Sequence, residues 1–410
     1  MAFAKSELCI FDKASPQVVI ANAAFEEIYP VDSVSTDDNI DIQFNIMASD
    51  NEYVDLNDTL LYVKVIVKKD ASTVLAATDT VTPANYFFLT LFQEASLTLN
   101  SVKIEGNTSL YSIKALIETA LNYSTDTKTT HLKAIGYDAT PANRQAWVKE
   151  SKAFTMCGPL YFDFFDQPKY LLPGVKAMIR LKRSDNVFCL KTAVANLKPI
   201  LKITEARLYV RRVKVDPSVL MGHRLGLETQ NASYPIQRTE LVFYTIPKGS
   251  TSFYKDALFG DMRLPKFVLV TFQTTTQQTG SYTTNSETFS NSSVNYISLG
   301  RNADFVETYK QDFDNNDYVC TYMQSIVRNM GLLNKNINNG ISMDLFKSTY
   351  PFFTFVLAPD YDVEQAQLPA QGNLRLEVRF AKALEESTVM YIYGVFDAEV
   401  EITKNGTVIV

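Results

Sequence analysis

Histidine and cysteine carry much of the nucleophilic and metal chemistry of proteins, and this sequence contains few of either. Two histidines, His131 and His223, occur in 410 residues. A Ser-His-Asp or Cys-His site needs a histidine base in most of its forms. His131 lies in a polar stretch and His223 in a presumed linker, so we expect both to be solvated or locally hydrogen-bonded. We therefore predict that no residue is catalytic and that the protein is not an enzyme.

The cysteines are too far apart in sequence to form the CxxC pairs that are typical of zinc sites. They are Cys9, Cys157, Cys189 and Cys320. Isolated cysteines of this kind fit a reducing compartment. The opening residues MAFAKSELCIFDK lack an apolar core long enough for secretion, so we expect a protein that is not secreted.

A metal site would have to depend on carboxylates, because histidines are so few. The nearest acidic clusters are Asp312, Asp314 and Asp317, and the pair Asp360 and Asp362. The first cluster lacks the central glycine and the closing glutamate of an EF-hand loop. Neither a P-loop nor a G-x-G-x-x-G motif is present. We predict no metal site and no cofactor. Glycoside hydrolysis needs only two carboxylates, and the 45 acidic residues leave that alternative open.

The net charge and the hydropathy of the chain argue against two roles, condensing DNA and spanning a membrane. The net charge is −6, which argues against a protein that condenses DNA through many Lys and Arg contacts to phosphate. A local basic run, Arg207, Arg211, Arg212 and Lys214, is interpreted as the solvated end of a strand. No stretch approaches about 18 uninterrupted apolar residues, so no transmembrane segment is predicted.

The secondary structure that would hold a functional site is predicted to consist mainly of β-strands. Apolar residues make up 46% of the chain, with 26 Phe and 22 Tyr, and apolar and polar residues alternate in many runs. Such alternation is typical of sheets with one buried face. Three of these runs recur in the same order about 200 residues later. The pairs are 60–69 with 266–272, 175–182 with 373–380, and 201–215 with 389–402. We infer that two similar sandwiches follow one another.

The domain boundary is placed at Asp216-Pro217. Residues 1–216 would form an N-terminal arm (1–35) and a first sandwich that opens with the strand 40–46, and residues 217–410 a linker and a second sandwich. Helical spacing predicts an amphipathic helix over 109–123, with Leu116 and Ile117 buried. The other predicted segments are a polar loop over 124–150, a strand over 160–165, a short helix from Pro217, an exposed loop over 273–293 and a helix over 316–330.

Several longer segments together resemble one protein family. They are SELCIFDK, PQVVI, YPVD, IDIQFNI and EYVDLNDTLLYVKVIV; LTLFQEASLTLNSVKIEGN with LYSIKALIETALNY; GPLYFDFFDQPKYLLPGVKAMIRLKRSDNVFCL; EARLYVRRVKVDPSVLMGH with YPIQR; and LFGDMRLPKFVLV with GNLRLEVRFAKAL. In this order and spacing they resemble the major capsid proteins of Polinton/Maverick elements and of the related adintoviruses. The resemblance runs nearly the full length, and residues 273–350 match less clearly.

The resemblance implies an all-β double jelly roll, with two eight-stranded Greek-key sandwiches in one chain and a few inserted helices. It implies a homotrimer that forms a pseudo-hexameric capsomer, with many capsomers tiling an icosahedral capsid around double-stranded DNA. The implied partners are other copies of the chain, penton and minor capsid proteins, and packaged DNA bound without sequence specificity. The implied location is the virion capsid, with synthesis inside the host cell.

Two other classes of function stay open at this point. Jelly rolls also serve as lectins and glycosidases, which would require a concave site with clustered aromatic side chains and paired carboxylates. A DNA-binding architectural protein is disfavoured by the acidic balance of the chain.

Overall fold

The computed structural model describes residues 17–32, 41–106, 109–194, 196–260, 263–302, 304–358, 366 and 370–410. Residues 1–16 and 33–35 of the predicted arm, which include Cys9, therefore lie outside the described residues, as do Asp360 and Asp362. The strands are β1 Ile20–Ile28, β2 Asp41–Ile46, β3 Glu52–Lys68, β4 Val81–Pro83, β5 Phe92–Leu99, β6 Val102–Glu105, β7 Phe154–Pro159, β8 Ala177–Arg183, β9 Leu190–Thr192, β10 Ile200–Val215, β11 Ala232–Ile246, β12 Ser252–Asp256, β13 Phe267–Thr274, β14 Val294–Arg301, β15 Asp304–Lys310, β16 Phe353–Val356, β17 Leu374–Phe380, β18 Thr388–Ile402 and β19 Val408–Ile409.

Helices lie between the strands, and most of them are short. They are α1 Phe87–Thr90, α2 Tyr111–Asn122, α3 Thr125–Thr129, α4 Pro141–Val148, α5 Asn186–Cys189, α6 Pro217–Gly226, α7 Thr275–Thr279, α8 Val319–Tyr322 and α9 Met343–Ser348, with 3₁₀ turns at His131–Ile135, Lys149–Ser151 and Asp163–Phe165 and a π-helical turn at Met323–Arg328. Among the described residues, no helix is long and apolar enough to cross a membrane.

The two halves of the chain repeat one sheet topology. In the first half the sheets have the strand orders β1-β10-β3-β7 and β2-β8-β5-β6, and a small separate sheet pairs β4 with β9. In the second half the orders are β11-β18-β13-β16 and β12-β17-β14-β15, with β19 added to β18. Leaving out the small sheet and β19, each half has eight strands, and every strand of one half has a counterpart at the same sheet position in the other. Two four-stranded antiparallel sheets joined in this order form a jelly roll.

This topology confirms the predicted repeat strand by strand. The run 60–69 lies in β3 and its partner in β13, and both are third in their sheets. The run 175–182 belongs to β8 and its partner to β17, while 201–215 belongs to β10 and its partner to β18. The alternation arises because the inward side chains of each sheet meet those of the facing sheet. In β3, for example, Leu61, Val63 and Val65 are fully buried, and the residues between them are not.

The predicted helix over 109–123 is confirmed as α2, which packs against β5. Leu116 and Ile117 are buried in the continuous apolar core. The predicted helix after Pro217 is also present as α6. The Asp216 side chain accepts a hydrogen bond from the Ser218 backbone N–H at 2.8 Å, and Pro217 occupies the first turn, where its missing N–H costs nothing. A helical segment within 316–330 is present as α8 and the π-helical turn after it.

Other expectations were wrong. The strand predicted over 160–165 is instead a 3₁₀ turn after β7, because the Glu105 carboxylate accepts hydrogen bonds from the backbone N–H groups of Asp163 (2.9 Å) and Phe164 (2.7 Å). The loop predicted over 124–150 contains α3 and α4, the first of them capped by the Ser124 hydroxyl.

The predicted arm also needs correction, because part of it belongs to the first sandwich. Residues 20–28 form β1, which pairs along its length with β10 and so precedes the strand that was expected to open the sandwich. This strand was not predicted because most residues of its sequence, IANAAFEEI, are exposed. Without a buried face, apolar and polar residues do not alternate along it.

Candidate functional site

The histidines occupy structural positions. His223 lies on α6, and its Nδ1 is 2.6 Å from the hydroxyl of Tyr53. His131 lies at the start of a 3₁₀ turn, with its ring edge-on to Tyr123 at 6.3 Å between centroids. Both side chains are exposed and His223 is hydrogen-bonded, and the contacts of the described residues place no serine or cysteine nucleophile beside either ring.

The three described cysteines are separate free thiols. Cys189 is buried, and its thiol contacts the carbonyl oxygen of Thr90 at 3.1 Å. Burial raises the pKa of this thiol to about 12, so it stays protonated at neutral pH. Cys157 is half-buried, and burial raises its pKa as well. A thiol of raised pKa is a poor nucleophile, and Cys320 is exposed without a histidine beside it among the described contacts.

The acidic cluster near residue 314 closes a turn. Asp312 accepts hydrogen bonds from the backbone N–H groups of Asp314 and Asn315, both at 3.0 Å, and these bonds hold its pKa below the usual range. Asp314 pairs with Lys382 at 2.6 Å on the surface. Within the described ranges, no group of three or more His, Cys, Asp or Glu side chains is placed to hold a metal ion.

The three arginines of the basic run on β10 are paired with acidic residues of neighbouring strands. Arg207 contacts Glu27 of β1 at 3.3 Å, and Arg212 pairs with Glu26 of the same strand. Arg211 contacts Asp55 and Asp58 of β3 at 3.1 and 3.0 Å. Cross-strand pairs of opposite charge stabilise a sheet modestly. These three arginines are therefore held in strand-to-strand ion pairs, and Lys214, the fourth residue of the run, is exposed.

The densest polar chemistry lies where the two halves meet. Four charged side chains of the first half lie close together there, and we call them the junction cluster. They are Glu105 of β6, Lys114 and Glu118 of α2, and Asp163 of the turn after β7. The Lys114 ammonium lies 2.6 Å from Asp163, 3.6 Å from Glu105 and 3.9 Å from Glu118. At most 15% of any of these side chains is exposed. Three carboxylates thus share one buried cation.

Two residues of the second half donate hydrogen bonds to the junction cluster. The backbone N–H of Thr239, in β11, donates to Asp163 Oδ2 at 2.7 Å, and its hydroxyl donates to Oδ1 at 2.8 Å. The hydroxyl of Tyr393, in β18, donates to Glu118 Oε1 at 3.1 Å. The first half therefore covers the outward face of the sheet β11-β18-β13-β16. Apolar residues of this face, such as Val395 and Phe267, are buried there.

Burial governs the protonation of the junction cluster. Loss of hydration raises the pKa of Glu105 to about 7 and that of Glu118 to about 8, since the carboxylate form is disfavoured away from water. The three surrounding carboxylates raise the pKa of Lys114 above its usual range, although burial alone would lower it. The cluster therefore retains one ammonium and takes up protons on its glutamates near neutral pH.

A second ionic contact joins the halves elsewhere. Glu287, in the segment after α7, accepts from the Lys191 ammonium at 2.6 Å and from the Asn85 backbone N–H at 3.1 Å, and it lies 3.7 Å from Arg144. Glu287 is buried, although it lies in the segment 273–293 that was expected to be an exposed loop. That expectation was wrong because polar residues of this segment bond inside the protein: Glu287 bonds to the first half, and the Gln273 amide donates to the carbonyl oxygens of Ser286 and Thr288.

A cleft of about 1230 Å³ opens beside the junction cluster. Its lining includes carboxylates and aromatic rings from both halves, among them Glu118, Asp163, Asp166, Tyr161, Phe267, Tyr393 and Asp397. The oxygens of Asp163 are taken up by Thr239 and Lys114, and Glu118 accepts from Tyr393. The hydrogen bonds of these two carboxylates thus hold the two halves together.

Sequence reasoning did not single out the junction residues. One signal was available, because Lys114 and Glu118 are four residues apart and are the two charged residues of a mostly buried helix. A charged pair on such a helix indicates a buried partner. Asp163, Thr239 and Glu287 carried no comparable signal, since their partners lie between 49 and 202 residues away in sequence.

Solved structures of viral capsid proteins share this arrangement of strands. The VP54 protein of PBCV-1, whose crystal structure was fitted into a cryo-EM reconstruction of the virophage Sputnik, matches with a TM-score of 0.62 at 12% identity, over 97% of this chain and 98% of its own. The Faustovirus major capsid protein matches with a TM-score of 0.62 at 10% identity, over 96% and 92%. The mavirus major capsid protein gives 0.51 at 10% identity, over 100% and 95%.

The chain is a double jelly roll. Because the sequence identities are only 10–12%, the likeness to these capsid proteins shows the fold alone. No protein-family model matches the sequence. An uncharacterized protein of Caenorhabditis elegans is 22% identical over 330 residues, which cover 77% of this chain and 78% of the relative.

Proposed function

We propose that this double jelly roll is the major capsid protein of a virus or virus-like element and that its role is structural, without catalysis. The observation that carries the proposal is the repetition of one eight-stranded topology in a single chain. The capsid proteins of PBCV-1, Faustovirus and mavirus support it, since they have the same fold over more than nine-tenths of the chain. The sequence resemblance to capsid proteins of Polinton/Maverick elements and adintoviruses points to that lineage.

The repeat also supports a specific assembly. Three chains with two similar sandwiches each would place six similar units around one axis, and a head-to-tail contact that closes after three copies gives a ring. The homotrimer would therefore be a pseudo-hexameric capsomer, and capsomers would tile an icosahedral capsid around double-stranded DNA. Penton and minor capsid proteins would complete the shell, and the protein would be made in the host cell and reside in the virion capsid.

The proposed division of the chain places the arm and the first jelly roll in residues 1–216 and the linker and the second jelly roll in 217–410. Each sheet that the described residues form takes its strands from one side of Asp216 only. The helix α6 then spans most of the distance to β11. The apolar core is nevertheless continuous between the halves, so we expect the two jelly rolls to unfold together.

Electron microscopy of the purified protein tests the proposal directly. The expected particle in negative stain has a hexagonal outline made of six lobes, and shells form under conditions that favour capsomer contacts. Isolated single-chain particles at every protein concentration would contradict the capsid role.

The cleft beside the junction cluster supports a second candidate, a carbohydrate-binding protein. Its carboxylates and aromatic rings are the types of side chain that such a site requires. Saturable binding of a glycan to the chain, lost on Tyr161→Ala and retained by a variant of the exposed residue Tyr254, would favour this candidate. We expect no such binding, because Asp163 and Glu118 are already engaged within the protein.

A further inference from the structure

The two halves differ in what covers their corresponding sheets. In the second half the residues of β18 from Thr388 to Phe396 are all buried, since one face meets the partner sheet and the other meets the first half. In the first half the corresponding strand β10 alternates between buried and partly exposed residues. One face of the sheet β1-β10-β3-β7 is therefore uncovered in a single chain.

This uncovered surface, which we call the open face, carries residues of three adjacent strands. Tyr209 of β10 is directly opposite Glu27 of β1 on one side and Leu60 of β3 on the other, so the three side chains share a face. Phe25 and Arg211 form the next row. Phe25 is 58% exposed and Leu60 is 39% exposed, so this face presents large apolar side chains to solvent in a single chain.

The structure also supplies a surface that could cover the open face. In the first half the insertion between β6 and β7 (residues 106–153) contains α2. This helix covers the sheet β11-β18-β13-β16 of the second half, where Glu118 accepts a hydrogen bond from Tyr393. The second half has an insertion at the same place, between β15 and β16 (residues 311–352), which we call the second insertion. It exposes large apolar side chains on its helical segments. They are Val319, Met323, Met343 and Leu345, at 45%, 40%, 37% and 36% exposure.

We infer that the open face of one copy is covered by the second insertion of another copy. This contact would continue one that exists within each chain, where the insertion of the first jelly roll packs on the corresponding sheet of the second. If the contact repeats between chains, internal and external contacts alternate, and three chains close into a ring of six jelly rolls. The inference rests on the proposed trimer and specifies which surfaces form it.

The composition of the open face distinguishes the two kinds of contact. Outward residues of β10 include Arg207 and Arg211, where β18 presents Tyr393 and Val395 to the first half. Arg207 also lies over the ring of Tyr62, 5.1 Å from its centroid. The contact between chains is therefore more polar than the contact within one chain, and the trimer dissociates more readily at high salt than the two halves separate.

Photo-crosslinking from the open face tests the inference. A benzophenone amino acid replaces Phe25 in a one-to-one mixture of isotopically light and heavy chains that have been dissociated and reassembled. We expect crosslinked peptides that join residue 25 to residues 311–352 and contain one light and one heavy partner. Crosslinks from residue 25 to any other region of a second copy, in a sample that is trimeric, would overturn the inference and leave the proposed trimer intact.

Matched substitutions provide an independent readout. Phe25→Glu places a charge in the contact, and we expect the trimer to weaken by at least about tenfold in dissociation constant. Phe305→Glu is the control, because Phe305 is also an exposed phenylalanine on an edge strand but lies on the opposite sheet of the second half. Equal trimer stability in the two variants would contradict the inference, and a wild-type protein that is monomeric would contradict both the inference and the proposed function. If Phe25→Glu fails to fold, Met323→Glu on the other side of the contact replaces it.

Discussion

Thr239 donates two hydrogen bonds to Asp163 across the junction of the two jelly rolls, from its backbone N–H at 2.7 Å and from its hydroxyl at 2.8 Å. The same carboxylate pairs with the buried Lys114. Asp163→Ala leaves that ammonium with two weaker partners, so we expect the free energy of unfolding to fall by about 3 to 5 kcal/mol. Thr239→Val removes one hydrogen bond to a charged group and should cost about 1.5 to 3 kcal/mol. Urea unfolding of both variants checks this order, and a smaller loss for Asp163→Ala than for Thr239→Val would contradict it.

The glutamates of the junction cluster should make stability depend on pH. Their pKa values in the folded protein, about 7 for Glu105 and about 8 for Glu118, lie above the ordinary value of 4.5. Between these values the folded protein binds more protons than the unfolded chain, so this contribution to stability is greatest below about pH 4.5 and decreases until about pH 8.

The substitution Glu118→Gln isolates that effect, because an amide fills the same space and does not ionise. We expect the urea midpoint of the wild type to fall more between about pH 5.5 and pH 8.5 than that of Glu118→Gln. Glu94→Gln is the control, since Glu94 forms an exposed ion pair with Lys182. A wild-type midpoint that rises over this interval, or an equal slope in all three proteins, would show that Glu118 is ionised throughout.

Glu287 offers a comparison between a buried and an exposed ion pair. Glu287→Ala leaves Lys191 and Arg144 without their shared carboxylate in a buried site, and we expect a loss of about 3 to 5 kcal/mol in the free energy of unfolding. Asp314→Ala breaks the pair with Lys382, which is exposed on both sides, and should change stability little because water and salt already screen it. Similar unfolding midpoints for the two variants would contradict the assigned burial of Glu287.

The helix α2 joins the core of the first jelly roll to the junction. Leu116 is buried in that core, and Leu116→Ala should cost about 2 to 5 kcal/mol through lost burial and the cavity that remains. Leu116→Asp should prevent soluble folding, because a carboxylate there has no partner. Asn122→Ala, at an exposed position of the same helix, serves as the control. Normal folding of Leu116→Asp would show that the helix is packed differently.

The sequence contained enough information to predict the repeat, α2 and α6, because these depend on local periodicity and on capping. Alternation in β3, β8 and β10 follows from one buried face, and it recurs in β17. The counterparts β13 and β18 lie at the expected positions but are buried on both faces over most of their length, because the first half covers their outward face. The exposed edge strand β1 has no such pattern. The turn at Asp163–Phe165 was missed because a carboxylate 58 residues away binds its backbone N–H groups.

The junction was beyond sequence reasoning for the same reason. Glu287 lies in a polar segment typical of an exposed loop, and only the tertiary structure brings Lys191 and Arg144 to it. Contacts between distant segments leave no periodic trace in the sequence. Composition alone led us to propose a role without catalytic or metal-binding residues. The residues that hold the two jelly rolls together could be found only from the structure.

The native mass of the purified protein tests the proposed assembly most directly. Light scattering on a sizing column should give about three times the chain mass of 46.2 kDa, or about 139 kDa, as expected for a closed ring of three copies. A single species at the mass of one chain, unchanged on raising the protein concentration and lowering the salt, would contradict the trimeric capsomer.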